Sequence, residues 1–501
     1  MAQFQRSMLA LAVGLVLSGL LLGGCSLLNL GGPPDPFAEY RPSLHPSFAI
    51  EPGQIASLLQ YSISVKVDTT SQMYTGTMDL TWPFTGTAPL YDLYLRLYPN
   101  LPQFGGSMKM TGMTVNGVTV NYEYAAENTA ARLSFSKPLY PGQMAEISAS
   151  FAGEVPVRPA GTYNIFGHSE GVLSLTNFYP ILASRRAEGW ALDVASPEGD
   201  VGFHDPALYR VEVVAPQDQV IAATGAEVTR TVSADGWATS RYVLGPAREF
   251  TLLLSPHFRV QEAESRGVRV RSYFRPEDAA AGHSALYDAI AALQVYSDEF
   301  GPYPYSEMTV VQAPLTFRGM EFPGMNLIGT DDYSQHLNEL ENLVVHEVAH
   351  QWWYNQVGND QPATPWLDEG LAEWSMYLYF LRRYGQPEAD QLRQLRWEIP
   401  VEGLVKRNAD APIGLPVTGY PRDSYETVVY GKGALFFATL RDEIGPDAFS
   451  NLLRTYLERY RWEIATPAGF QALAEEVSGK DLEALFSKWV EGKEATDLAK
   501  F

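Results

Sequence analysis

The sequence predicts a multidomain α+β protein, an N-terminal antiparallel β domain followed by a mainly helical domain. Three observations carry that reading. A chain of 501 residues with 46% hydrophobic and 12% aromatic residues can fill two or three full-sized cores. From about residue 48 to 261 the apolar residues alternate, as in half-buried strands. Beyond residue 262 one more strand pattern gives way to helical spacing, and helices dominate from Asn338 onward.

The elements follow in order. In "YSISVKV", Tyr61, Ile63, Val65 and Val67 share one face of a strand, and in "YDLYLRLY" Leu93, Leu95 and Leu97 do the same. "MTVNGVTV" places Asn116-Gly117 between strand-like flanks, a hairpin signal because both turn residues must reach positive φ. "LYRVEVVAP" and "REFTLLLSP" add strands, and no repeat of 20 to 50 residues suggests a propeller or solenoid. "GVRVRSYF" is a further strand, and "AAAGHSALYDAIAALQVYSDEFG" is a helix with a glycine stop. The expected division is a β domain over 48–261 and a second domain over 262–501 ending in a short helical part.

The formal net charge is -22, with the acidic residues spread and no basic cluster. Such a chain repels a phosphate backbone, so nucleic acid is excluded as a partner, and electrostatic docking on anionic lipid is disfavoured. A covalent lipid is compatible with that charge.

The single cysteine, Cys25, follows an apolar run from Met8 to Leu22 preceded by Arg6. That run is shorter than the ~20 residues a membrane-spanning helix needs, and it fits an export signal over residues 1–24. Leu22-Gly23-Gly24-Cys25 resembles the bacterial lipobox, which implies a mature chain beginning at a lipidated Cys25. The proline- and glycine-rich residues 25–47 would then be a flexible tether. The expected location is extracytoplasmic, as a lipoprotein of the bacterial cell membrane or outer membrane. With one cysteine, intrachain disulfides are excluded.

"LVVHEVAHQWWYNQ" places His346 and His350 four apart on a predicted helix, so both imidazoles can face one point while Glu347 lies ~100° around the axis. That helix is expected to end near Gly358. A second helix, capped by Thr364 with Pro365 in its first turn, carries "WLDEGLAEW" and brings Glu369 forward as a third ligand. Two imidazoles and one carboxylate suit one Zn²⁺ per chain with a fourth position open to water, the mark of a catalytic rather than a structural zinc. Glu347, beside both ligands, fits the general base. Glu373, one turn beyond Glu369, can accept a hydrogen bond from a ligand histidine, and Asp368 is a similar candidate. Trp352, Trp353 and Trp366 are expected in the core.

These residues resemble the gluzincin zinc peptidases of the aminopeptidase N family, whose pattern is HExxH, an 18-residue gap and a glutamate. "RGMEFPG" resembles that family's exopeptidase motif, with Gly319, Met320 and Glu321 in place and Phe322 where asparagine is usual. "YETVVYGKGALFF" resembles the segment bearing the family's catalytic tyrosine, which falls on Tyr430. The resemblance implies a thermolysin-like catalytic domain without the large C-terminal helical domain of many members. It also implies peptide substrates, Tyr430 as the donor that stabilises an oxyanion, and Gly319, Met320 and Glu321 as the substrate-binding edge, with Glu321 pairing with a free amino terminus. The expected activity is removal of N-terminal residues from peptides. Phe322 leaves open an endopeptidase or a hydrolase of non-peptide substrates. A non-catalytic surface binding lipoprotein is the alternative from another class, and the intact ligand set argues against it.

Overall fold

The computed structural model describes residues 37–48, 57–159, 164–315 and 317–492, so the signal segment, Cys25 and most of the expected tether lie outside the described residues. The end of that tether segment is attached to the folded body. Ser43 and His45 exchange backbone hydrogen bonds with Ser306 and Pro304, and Leu44 bridges Tyr305.

Alternation builds the β domain. Along Leu59–Asp68, Tyr61, Ile63, Val65 and Val67 are each at most 2% exposed, so this strand buries the face its pattern marks. It is central in an eight-stranded sheet, antiparallel to Met73–Pro83 with Ile63 opposite Met78. Its other neighbour, Ala207–Pro216, is parallel, with Ile63 opposite Val211, so the sheet is mixed at this one pair rather than wholly antiparallel. A parallel neighbour needs a long crossover. The roughly 140 residues between the two strands supply it, with two four-stranded sheets packed into that excursion and its continuation. Tyr61 stacks on Tyr209 at 5.2 Å, and its hydroxyl accepts the Leu182 amide. The Asn116-Gly117 hairpin is present, with φ of 49° and 74°.

The second domain begins with a five-stranded sheet in the order Arg259–Ser265, Val268–Phe274, Glu307–Ala313, Met325–Gly329, Gly319–Phe322. The inner three strands are parallel. Gly319–Phe322 is an edge strand, paired on one side only among the described residues. Helix α1 (Ala279–Glu299) crosses from the second strand to the third, and the Tyr296 hydroxyl at its end donates to the Val345 carbonyl. Helices α2 (Leu340–Ala349), α3 (Trp366–Arg383), α4 (Gln386–Arg393), α5 (Ile399–Lys406) and α6 (Gly433–Ile444) follow. The observed class is therefore the expected one, a β domain followed by a mainly helical domain.

Two boundaries differ from the sequence reading. Helix α2 stops at Ala349 instead of near Gly358, because a compact turn takes over the carbonyls its continuation would have used. Asn355 N donates to His350 O, Val357 N to Trp352 O, and the Asn355 side chain also reaches His350 O. Tyr354 in that turn has φ of 93°, a conformation costly for a bulky residue and kept only where surroundings over-determine it. Here its amide bonds Val357 O, its carbonyl accepts from Arg248 and its hydroxyl bonds Glu249. Thr364 does not cap α3; its hydroxyl donates to Asp360 O, and Pro365 takes the capping position.

Arg248 fastens the two domains together. Its guanidinium is 1% exposed and donates to three carbonyls, those of Tyr354, His204 and Glu463, at 2.6, 2.9 and 2.9 Å. A Cβ at Gly358 would lie 2.2 Å from that guanidinium, so a side chain there would eject it. Arg186 of the β domain adds a two-pronged pair with Asp360, on the loop leading into α3.

Candidate active site

Helix α2 is apolar on nearly every face, with Val344, Val345, Val348 and Ala349 fully buried, so His346, Glu347 and His350 are polar side chains committed to the interior. Trp352, Trp353 and Trp366 are core residues, as expected. The indoles of Trp352 and Trp353 are satisfied by Gly301 O and Ser375 Oγ.

The three expected ligands converge. His346 Nε2, His350 Nε2 and Glu369 Oε2 form a triangle with every side 3.2 Å. Ligand atoms ~2.0–2.1 Å from a tetrahedral zinc are ~3.3 Å apart, so the triangle has the right size for the ion. Two imidazole nitrogens facing each other at 3.2 Å repel if both carry protons and gain nothing if both are bare, whereas a cation between them satisfies both. His350 Nδ1 lies 3.1 Å from the Trp353 carbonyl, which can only accept; the neutral ring thus keeps its proton on Nδ1 and presents a lone pair at Nε2. A second cluster, Glu321, Glu347 and His350, also brings ligand atoms within 4.8 Å, but it shares His350 with the triangle.

The charges point the same way. Burial opposes a proton on His346, yet the Glu369 and Glu373 carboxylates outweigh it and raise the ring to about 9. Burial also opposes charge on Glu369, and the two imidazoles nonetheless hold it well below the usual carboxylate range. The pocket is thus built to hold positive charge.

Glu373 lies beside His346, where the sequence reading puts it, in an ion-pair contact instead of the expected hydrogen bond. Its Oε1 is 3.4 Å from His346 Nδ1, and it is itself held by Arg396 and by the Trp397 indole, both at 2.8 Å. Asp368 supports a different group: it accepts from Asn359 and from Gln361, whose amide also donates to Glu321.

Glu347 and Glu321 face the cavity that the triangle floors, a cleft of about 450 Å³ also lined by Gly319, Met320, Tyr425 and Tyr430. Burial pushes Glu347 up to about 8, with the imidazoles pulling down and Glu321 pushing further up. Gly319 is glycine for a visible reason, since a Cβ there would lie 1.9 Å from Glu347 Oε1. Gly319→Ala therefore displaces either the carboxylate or the edge strand. A shift of about 1 Å lowers kcat/KM by roughly 10²-fold with zinc content unchanged, which steady-state rates beside metal analysis would check.

Glu321 is 5% exposed on the edge strand, as the reading of "RGMEFPG" expects. Phe322 is buried and its carbonyl accepts from Gln351, which also bonds Asn326 Oδ1 and Gly324 N. Gln351 thereby bolts the end of α2 to the edge strand, while Asn355 donates to Glu321 O. The amide partner of Glu321 comes from Gln361 instead of residue 322. Gln351, Asn355 and Gln361 carry no signal in a single sequence because their partners lie on other elements.

Tyr430 sits in a π-helical segment, Thr427–Lys432, facing a second one at Gln394–Glu398. Such segments are rare and often occur at functional sites. The widened turn lays the Tyr430 ring against His346 at 5.8 Å and directs its hydroxyl to Glu369 Oε1 at 2.7 Å. Lys432 anchors the segment through Asp410 and the Ala411 carbonyl. A further acid, Asp200, arrives from the β domain on the loop "SPEGDVG". Burial, together with the Glu321 and Glu369 carboxylates, raises it well above the usual range.

Comparison with known proteins agrees with this geometry. Residues 284–489 match the Peptidase family M1 domain. Over those residues the chain is similar to the M1 peptidases. Aminopeptidase M1-C of Oryza sativa subsp. japonica is 26% identical over 251 residues, 46% of this chain and 27% of that protein. Aminopeptidase N of Haemonchus contortus is 25% identical over 292 residues, 54% of this chain and 30% of that protein. The matches thus cover less than a third of the length of these M1 relatives. An M1 zinc metallopeptidase structure from Deinococcus radiodurans shares the fold across 88% of this chain and 95% of its own, with TM-score 0.65 and 21% identity. Family M1 implies one Zn²⁺, and His346, His350 and Glu369 fit it.

Proposed function

We propose that this chain is a zinc aminopeptidase of the M1 type that removes N-terminal residues from peptides. One observation carries the reading: the zinc triangle, the basic carboxylate of Glu347 and the edge-strand carboxylate of Glu321 all face a single cavity. Zinc, when bound, supplies Lewis acidity to the attacking water and the scissile carbonyl. The residues of the chain do the rest. A peptide laid along Gly319–Phe322 extends the sheet by one strand and fixes the scissile bond over the cavity floor. Glu321, held by Gln361, pairs with the α-ammonium and sets the register at one residue from the amino terminus. Glu347 takes the proton of the attacking water and gives it to the departing amine, a task suited to a carboxylate raised toward the working pH. Tyr430 donates its phenolic proton as a hydrogen bond to the oxygen that gains charge, releasing Glu369 as it does so.

The test compares a free-amine aminoacyl reporter with its N-acetylated twin. Acetylation removes a charge-assisted hydrogen bond to a buried carboxylate, so turnover of the blocked reporter is expected to be at least about 10-fold lower. Equal turnover of both would take Glu321 out of the mechanism and support an endopeptidase.

A further inference from the structure

We propose that Asp200 makes this cavity selective for peptides whose first residue has a cationic side chain, lysine or arginine, while Glu321 holds the α-ammonium. The inference rests on the aminopeptidase reading and adds the substrate class.

The first support is placement. Asp200 lines the main cavity and also a small space of about 20 Å³ behind Glu321. The loop that carries it is seated tightly on the catalytic domain. A Cβ at Gly199 would lie 2.6 Å from the Tyr425 hydroxyl, and one at Gly202 would lie 2.4 Å from Gln361 Oε1. Glu198 pairs with Arg422 across the mouth at 2.9 Å. Two close glycine contacts on either side thus fix where the Asp200 carboxylate is offered.

The second support is charge. Seven carboxylates line the cavity; Glu198 and Glu373 are paired with Arg422 and Arg396, and Asp200, Glu321, Glu347, Glu369 and Glu426 remain. The guanidiniums that reach it are already engaged: Arg396 by Glu373, Arg318 by Asp332, Arg422 by Glu198. A divalent cation is held by Glu369 and one α-ammonium by Glu321, and Asp200 has no cationic side chain paired with it among the described residues. An exposed carboxylate tolerates this, but one enclosed between two domains does so at a cost that a cationic guest removes.

The third support is independent of both. The Tyr425 hydroxyl is buried within a residue only 6% exposed, lines the cavity beside Asp200, and has no hydrogen-bond partner among the described residues. A phenolic oxygen so placed is an acceptor for the N–H groups of an ammonium or guanidinium. The volume of about 450 Å³ accommodates such a side chain together with the scissile peptide unit.

The experiment uses the zinc-loaded full chain with lysyl, arginyl, leucyl and methionyl reporters, in wild type, Asp200→Asn and Asp200→Glu. Wild type is expected to favour the cationic pair by at least about 10-fold in kcat/KM, the value of one charge-assisted hydrogen bond. Asp200→Asn lowers the lysyl-to-leucyl ratio by about 10- to 100-fold, chiefly through KM, and Asp200→Glu restores part of it. A readout free of turnover accompanies this: free L-arginine raises Tm of wild type more than L-leucine does, and Asp200→Asn removes the difference. A wild type indifferent to the first residue, or a variant whose losses are equal on all four reporters, overturns the inference and leaves the aminopeptidase reading standing. No turnover of any aminoacyl reporter by wild type overturns both.

Discussion

Glu347→Gln is expected to bind one zinc per chain as wild type does and to lose roughly 10³- to 10⁴-fold in kcat, the range of a general base. Glutamine has nearly the shape of glutamate but cannot take up a proton. Glu347 lies outside the His346, His350, Glu369 triangle, and none of the distances that define that triangle involves it. The loss should therefore fall on kcat with little change in KM, as for a group that acts only in the transition state. Stability gives the substitution a separate signature in the metal-free protein. Burial raises Glu347 from 4.5 to about 8, so folding favours its protonated form. Its contribution to stability is whole below pH 4.5 and is lost as the pH rises through 8. The amide suffers no such loss. The metal-free variant should match wild type in Tm at pH 4 and exceed it increasingly up to pH 8, which scanning calorimetry across that window would read. A variant that loses zinc along with activity would place Glu347 among the ligands and end its assignment as base.

Glu369→Ala fails differently. Its carboxylate supplies one vertex of the triangle, accepts the Tyr430 hydroxyl, and is held ionised by both imidazoles. Alanine removes the only anionic vertex and leaves His346 and His350 Nε2 3.2 Å apart with nothing between them to accept. Zinc content should drop from one per chain to near zero after dialysis, with activity lost in proportion. The metal-free variant should also be less stable by about 3–5 kcal/mol, since removing one partner strands the rest of a buried ionic cluster. The sign of the pH effect is opposite to that for Glu347. A depressed carboxylate contributes stability above its unfolded value of 4.5 and loses it as the pH falls, so the gap between wild type and variant should narrow in acid. Retention of stoichiometric zinc would refute the ligand assignment.

How much of this was legible in the sequence depended on how local each feature is. His346, Glu347 and His350 lie within one helical turn and a half, and period alone placed the two imidazoles on one face with Glu347 one step round the axis. The strands around Tyr61 and Leu93 were legible for the same reason, because alternation is a property of neighbours. The end of α2 was not. Nothing in "QWWYNQVG" announces a break, and the turn is imposed by Arg248 and Glu249, about a hundred residues earlier in the chain, acting on Tyr354. The parallel strand at Ala207–Pro216 was hidden likewise, since alternation does not say which neighbour a strand will choose. Tyr430 could be assigned only through its resemblance to a family segment, because the π-helical turn that aims it has no marker in composition. Asp200 had no signal at all, its importance being set by a domain packing that only three dimensions display.

The clamp made by Arg248 has an evolutionary corollary. Because one guanidinium satisfies carbonyls on both halves, including that of the turn closing the metal helix, the N-terminal half is no detachable accessory. Severed near residue 262, the C-terminal half would keep the Tyr354 and Glu463 carbonyls without the guanidinium that satisfies them, and a tyrosine free to relax out of its forced geometry. Exchanging the front half of the chain therefore requires reinventing that single bolt.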